Sequence, residues 1–335
     1  MPESSIASPK VQLHCHLEGT VAATTFRELA AAAGVGGERI AGPLGETYAF
    51  ASFGEFLLTF AEVCKTLRAP EDYRRIACEY ALGALREGVL HAELFISPSV
   101  WTFFHPELDV RACVRAIRAG LDDAFVPAGA SALLICDLTR NFGPERALAT
   151  ARVALELAEA GLGVVGIGLG GDEANWPAPL FAESFALAAA GGLRRVAHAG
   201  EAAGAQSVAD AVLVLGAERI GHGVRAVEDP AVVALLRERD VVLEVCPTSN
   251  RLTGAVAPGP HPLRALDAAG VRCVLDADDP ALFSTSLLAE YALVASWHGE
   301  AFVRRLARNA VEASFASPNR KETLRTAFTG FESER

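Results

Sequence analysis

The chain has 335 residues, with 30 Lys+Arg against 41 Asp+Glu, a formal net charge of −11, and 51% apolar against 21% charged residues. That balance excludes disorder as the main state, because there is ample apolar side chain for a large core, and it speaks against a nucleic-acid partner, because an acidic surface repels phosphate. No leader-like apolar segment opens the chain and no run reaches the roughly eighteen apolar residues of a membrane span, while seven cysteines without a Cys-x-x-Cys pair suit reduced thiols in a cytoplasm.

In chain order, β-branched runs predict eight strands: Val11–His16, Val89–Ile96, Ala132–Leu138, Val164–Gly168, Arg195–His198, Arg219–His222, Val241–Val245 and Arg272–Leu275. Segments of helical period alternate with them: Val110–Asp123, Pro144–Ala160, Pro179–Ala190, Ser207–Leu215, Pro230–Arg239 and His261–Ala268. The connection from Leu17 to Gly88 is long and reads as several helices, including Phe53–Leu67, and the tail after Pro280 reads as two or three more. No linker or low-complexity tract interrupts this rhythm. Eight β/α units over residues 1–335 therefore predict one (β/α)8 barrel of the α/β class, with a helical insertion at about 17–88; an open doubly wound sheet is the alternative. An insertion after the first strand falls on the face where barrels keep their sites, and it could act as a lid.

The polar residues gather at strand ends. His14 and His16 close the first strand, and residues two apart on a strand share a face. His198 ends the fifth strand with Glu201 just beyond, His222 ends the sixth, and Asp278 and Asp279 follow the eighth. Imidazoles and carboxylates delivered from four strands to one rim suit a metal, and three nitrogens with a carboxylate suit zinc with a position left for water. None of the three lysines (Lys10, Lys65, Lys321) ends a strand at the barrel mouth, which favours one metal over a lysine-bridged pair. Glycines 166, 168 and 171 spell Gly-x-Gly-x-x-Gly, yet Asn175-Trp176-Pro177 interrupts where a nucleotide-binding helix would have to open.

These residues carry a resemblance. Pro9-Lys10-Val11-Gln12-Leu13-His14-Cys15-His16-Leu17-Glu18-Gly19, His198-Ala199-Gly200-Glu201, Arg219-Ile220-Gly221-His222-Gly223, Cys246-Pro247-Thr248-Ser249-Asn250 and Asp276-Ala277-Asp278-Asp279-Pro280 resemble, in order, motifs of the adenosine deaminase family of amidohydrolase barrels. The resemblance implies one zinc ion per chain, held by His14, His16, His198 and Asp278. It implies that Glu201 protonates purine N1 so that water can add to C6 and ammonia leave, with His222 orienting that water. It further implies that Asp279 meets N7, the Gly171 amide meets N3, His16 and Glu18 bind substrate, with Glu18 at the 5′ end of the sugar, and Phe56, Leu57 and Phe60 cover the purine. The His-x-x-Glu spacing and the lack of Cys-x-x-Cys separate this design from the His-x-Glu nucleobase deaminases.

Two positions depart from the adenosine enzymes: Glu18 stands where Asp often meets the ribose 5′-hydroxyl, and Gly168 where Asp is common. The expected reaction is deamination of an adenine nucleoside, most simply adenosine to inosine, with 6-aminodeoxyfutalosine or adenine as alternative substrates. An ester or phosphoester hydrolase and a non-catalytic nucleoside-binding protein are the alternatives of other classes. The expected partner is a small purine compound, without nucleic acid or membrane, and the sequence leaves the oligomeric state open.

Overall fold

All eight β-branched runs form strands in the computed structural model, which describes residues 8–35, 40–41 and 47–333. They are β1 (Lys10–His16), β2 (Val89–Ile96), β3 (Ser131–Thr139), β4 (Val164–Gly170), β5 (Arg194–Ala199), β6 (Arg219–His222), β7 (Val242–Val245) and β8 (Cys273–Leu275). Each pairs in parallel with the next in chain order. The ring is drawn together where β1 meets the segment after β8: the Asp278 amide donates to the His14 carbonyl (3.1 Å), and the His16 amide to the Asp278 carbonyl (2.9 Å). This is the eight-stranded parallel barrel the sequence predicts, with its helices outside.

The helices follow their apolar periodicity. Val110–Phe125 and Pro230–Glu238 start on an Asp side chain that accepts a first-turn amide, as N-caps should. The His261–Ala268 helix begins two residues late, at Leu263, because the His261 ring accepts the Leu263 amide and works as a cap. The Pro179–Ala190 segment divides into a 3₁₀ turn over Ala178–Phe181 and a helix over Ala182–Ala190. The long insertion holds helices Ala23–Ala33, Phe53–Thr66 and Pro70–Arg86, together with a short antiparallel pairing of Ile40–Ala41 with Thr47–Tyr48 that the sequence did not suggest. Three helices follow Pro280, at Leu287–His298, Glu300–Ala313 and Pro318–Ser333. Among the described residues no helix is long and apolar enough to cross a membrane.

Two features of the ring shape the site. The β4–β5 ladder stops at Ile167 and Arg195. Above it the His198 ring bonds the Leu169 carbonyl (3.1 Å), and the buried Arg140 guanidinium donates to the carbonyls of His198 (2.7 Å) and Trp176 (2.6 Å). Side chains thus satisfy backbone groups that the ladder leaves open. Lower in the barrel, Arg219 forms ion pairs of 2.6 Å with both Glu93 and Glu244 and lies over the Phe315 ring at 3.7 Å.

Candidate active site

The strand ends bring four candidate ligands to one point. His16 Nε2 lies 3.1 Å from His198 Nε2, and Asp278 Oδ1 lies 3.4 Å from His14 Nε2 and 3.5 Å from His16 Nε2. A tetrahedral ion bound at about 2.0–2.1 Å needs ligand atoms about 3.3–3.4 Å apart. The rings are already turned for it. Glu244 holds His14 Nδ1 at 2.7 Å and the Leu169 carbonyl holds His198 Nδ1, which leaves the Nε2 atoms facing one another. His14 Nε2 is buried with no hydrogen-bond partner. The donor set therefore fits a divalent metal.

The electrostatics agree with this arrangement. Burial holds His16 down to about 3 and His222 down to about 4, and burial with the neighbouring histidines holds His198 well below the usual range. Neutral imidazoles are what a metal requires. Burial opposes charge on His14 as well, but Asp278 and Glu244 outweigh it and push that ring up. Burial likewise opposes charge on Asp278, yet the histidines around it hold its carboxyl well below the usual range. His222 and Asp278 both have left-handed backbones, with φ of 62° and 61°, an uncommon conformation outside glycine.

Three further groups flank the cluster. Glu201 is buried, with Oε2 3.6 Å from His222 Nε2. Burial, followed by the Asp278 and Glu173 carboxylates, pushes its carboxyl well up. Asn250 Nδ2 donates to His222 Nδ1 (3.0 Å), so the proton of His222 sits on Nε2. Asp279 is buried with Oδ1 unpartnered, and burial together with Asp278 raises it. A side chain at Gly19 would collide with that carboxyl, which accounts for glycine at this point of the first motif.

The loop carrying Glu201 is fixed by a residue to which the sequence reading gave no role. The Glu173 carboxylate accepts the amides of Gly200 (2.7 Å), Glu201 (3.1 Å), Ala202 (2.7 Å) and Ala203 (3.0 Å). Glu244 and Asp137 were also given no role, the only signal being a lone acid inside an apolar strand; Asn250 stands in the Cys-Pro-Thr-Ser-Asn motif, without a role of its own.

Above the cluster opens a cavity of 480 Å³. His16, Glu201, His222, Asp278, Asp279 and Gly171 line it, and Phe56, Leu57 and Phe60 of the Phe53–Thr66 helix form one wall. Phe103, Phe104 and Phe142 extend the apolar surface, and among the described residues no Lys or Arg lines it. Glu18 is placed differently from the expectation of a sugar contact. It is fully buried and does not line the cavity, with Oε1 accepting Trp101 Nε1 (2.6 Å) and the Ser97 amide (2.8 Å).

The adenosine deaminase family model matches residues 9–329. An adenine deaminase of Rhizobium leguminosarum bv. trifolii is 38% identical over 323 residues, covering 94% of this chain and 97% of its own. An aminodeoxyfutalosine deaminase of Streptomyces avermitilis is 38% identical over 313 residues, covering 92% and 86%. Among solved structures, an amidohydrolase from Burkholderia ambifaria with bound Zn superposes with a TM-score of 0.86 at 29% identity, covering 98% of this chain and 92% of that one.

Proposed function

The chain belongs to the adenosine deaminase family and is a hydrolase that deaminates adenine compounds; from that premise we propose that its substrate is a phosphate-free adenine base or nucleoside-type compound, and that its metal is one zinc ion held by His14, His16, His198 and Asp278. The observation that carries this reading is the convergence of those four side chains at the foot of an apolar cavity, with Glu201 and Asp279 on either side.

Zinc bound there would lower the pKa of a water molecule to about 7 and so supply the nucleophile. The chain's own groups do the rest. Burial keeps Glu201 protonated, so it donates to purine N1 and makes C6 electrophilic. The Nε2–H of His222, fixed by Asn250, donates to the attacking oxygen and holds it at C6. Asp279, also kept protonated, donates to N7, and the Gly171 amide donates to N3. The purine is thereby gripped on three edges, and its amino group faces the metal cluster. The Phe56, Leu57 and Phe60 wall keeps bulk water from the reacting carbon.

Two features refine the substrate. A phosphate would enter a cavity that already holds several acids and no lysine or arginine among its described lining residues, and desolvating it there would be costly. A 480 Å³ volume is also in the range that takes a ligand larger than a bare base. Adenosine was the simplest expectation, but the relatives named above give adenine and 6-aminodeoxyfutalosine at least equal standing. The test is ammonia release by the zinc-loaded protein from adenosine, adenine, 6-aminodeoxyfutalosine and AMP, compared by kcat/KM. Turnover of a phosphate-free compound with AMP far behind supports the reading. Preference for AMP, or no ammonia from any of them, would remove it.

A further inference from the structure

One buried acid of the cavity has no part in the chemistry above. Asp137, on β3, is 5% exposed, lines the cavity, and has no hydrogen-bond partner for Oδ1. A buried carboxyl left without a partner is costly, so its presence calls for a ligand group that completes it. The neighbouring strand is shaped around it. Asp137 pairs in register with Gly168 of β4. A Cβ at Gly168 would lie 2.6 Å from Asp137 Oδ1, and one at Gly170 would collide with Oδ2. Two glycines on one short strand thus clear a notch that the carboxyl fills.

The order of strands around the barrel says which part of a ligand Asp137 meets. Glu201 follows β5, Asp279 follows β8 and Gly171 follows β4, so N1, N7 and N3 point to those three places under the reading above. The remaining direction, opposite the metal cluster, runs from N9 toward β2 and β3. Asp137 stands on β3, beside the Gly170–Gly171 corner, on the N9 side of N3.

We propose that Asp137 is a substrate-binding residue of this enzyme, hydrogen-bonding a donor carried at or next to purine N9, and that Gly168 and Gly170 are glycines because the carboxyl occupies their side-chain space. Such a donor is an N–H in a free base and the ribose 2′-hydroxyl in a nucleoside. The assignment rests on the deaminase reading, which supplies the orientation of the purine. It makes Asp137 a selector of substrates: a site built to bond an O–H or N–H rejects the analogue that lacks it.

The test compares kcat/KM for two matched pairs in the zinc-loaded protein: adenosine with 2′-deoxyadenosine, and adenine with 9-methyladenine. One pair should separate by about tenfold or more in the wild type. The nucleoside pair separating identifies the 2′-hydroxyl as the donor; the base pair separating identifies N9–H. In Asp137→Ala that ratio should fall to about one through loss of the better substrate, with KM moving more than kcat and zinc content unchanged. Asp137→Asn keeps the size of the side chain and serves if the alanine variant does not fold; its ratio should shrink as well. Ratios near one for both pairs in the wild type, or a ratio unchanged in a folded variant, overturn the assignment while the deaminase reading stands. No ammonia from any adenine compound removes that reading and the assignment together.

Discussion

Two layers of buried charge are stacked inside the barrel, and the chain treats them in opposite ways. In the lower layer the charges are matched. Arg219 lies between Glu93 and Glu244, and Glu93 also bonds the His91 ring (3.3 Å) and the Phe315 amide. Burial alone would raise Glu93, but Arg219 and His91 hold it below the ordinary carboxylate range, and the two acids push Arg219 up against its own burial. In the upper layer, among the described residues, no Lys or Arg makes an ion pair with Glu201, Asp279 or Asp137, and the nearest cation, Arg140, donates to backbone carbonyls. Burial drives Glu201, Asp279 and Asp137 upward, the last to about 8. Paired with a cation, Glu93 is held toward its ionised form; without such a pair, Glu201, Asp279 and Asp137 are held toward the protonated form. Glu244 joins the layers, because its second oxygen holds His14.

The contrast is broken most severely at Glu201. Glu201→Gln keeps the shape of the site but removes the proton donor, so kcat should fall by about 10²–10⁴-fold, with zinc content and fold intact. A near wild-type rate would show that the upper acids are not donors. The lower layer fails in another way. Arg219→Met leaves two buried carboxylates without their cation and should cost about 3–5 kcal/mol of stability, read from urea unfolding, while the protein that remains folded keeps its KM. A stability within error of the wild type would mean the layer is not held by charge. At the link, Glu244→Gln should weaken metal affinity by about 10–100-fold, measured by competition with a chelator; unchanged affinity would separate the layers.

A further effect is one of pH. The Asp137 carboxyl titrates at about 8 in the fold and at about 3.9 in an unfolded chain. As pH rises from about 4 to about 8, the unfolded state releases this proton and the folded state keeps it, so folding stability falls over that window. Glu93 has the opposite sign: its lowered value gives stability that is present above about 4.3 and lost as pH falls below it. The decline between pH 5 and 8 in metal-free protein should be shallower in Asp137→Asn. Equal slopes in the two proteins would remove Asp137 from the account.

The fold was legible because strands such as Val89–Ile96 and Arg219–His222 are short segments with glycine or proline close to their ends, and both have the bounds read from sequence. The grouping of His14, His16, His198 and Asp278 was legible because these residues sit in local motifs at strand ends. What escaped were residues whose meaning lies in a distant partner. Glu244 is one acid in an apolar strand until His14, 230 positions away, is placed against it. Glu173 closes a Gly-Asp-Glu run, and nothing local says that its carboxylate receives four amides of the Glu201 loop. Glu18 was read from its neighbours in a motif, and the fold turned it toward Trp101 and Ser97 instead.

The backbone at Asp278 leaves the chain no gentle replacement there. At a φ of 61° the side chains that sit with least strain are glycine, asparagine, histidine and aspartate. The first three have no negative charge to give a metal. Glutamate has the charge but is not among the residues that favour this conformation, and its extra carbon would move the oxygen away from His14 and His16. The substitutions that the fold forgives are therefore the ones the chemistry does not, and drift at this codon has no intermediate that satisfies both.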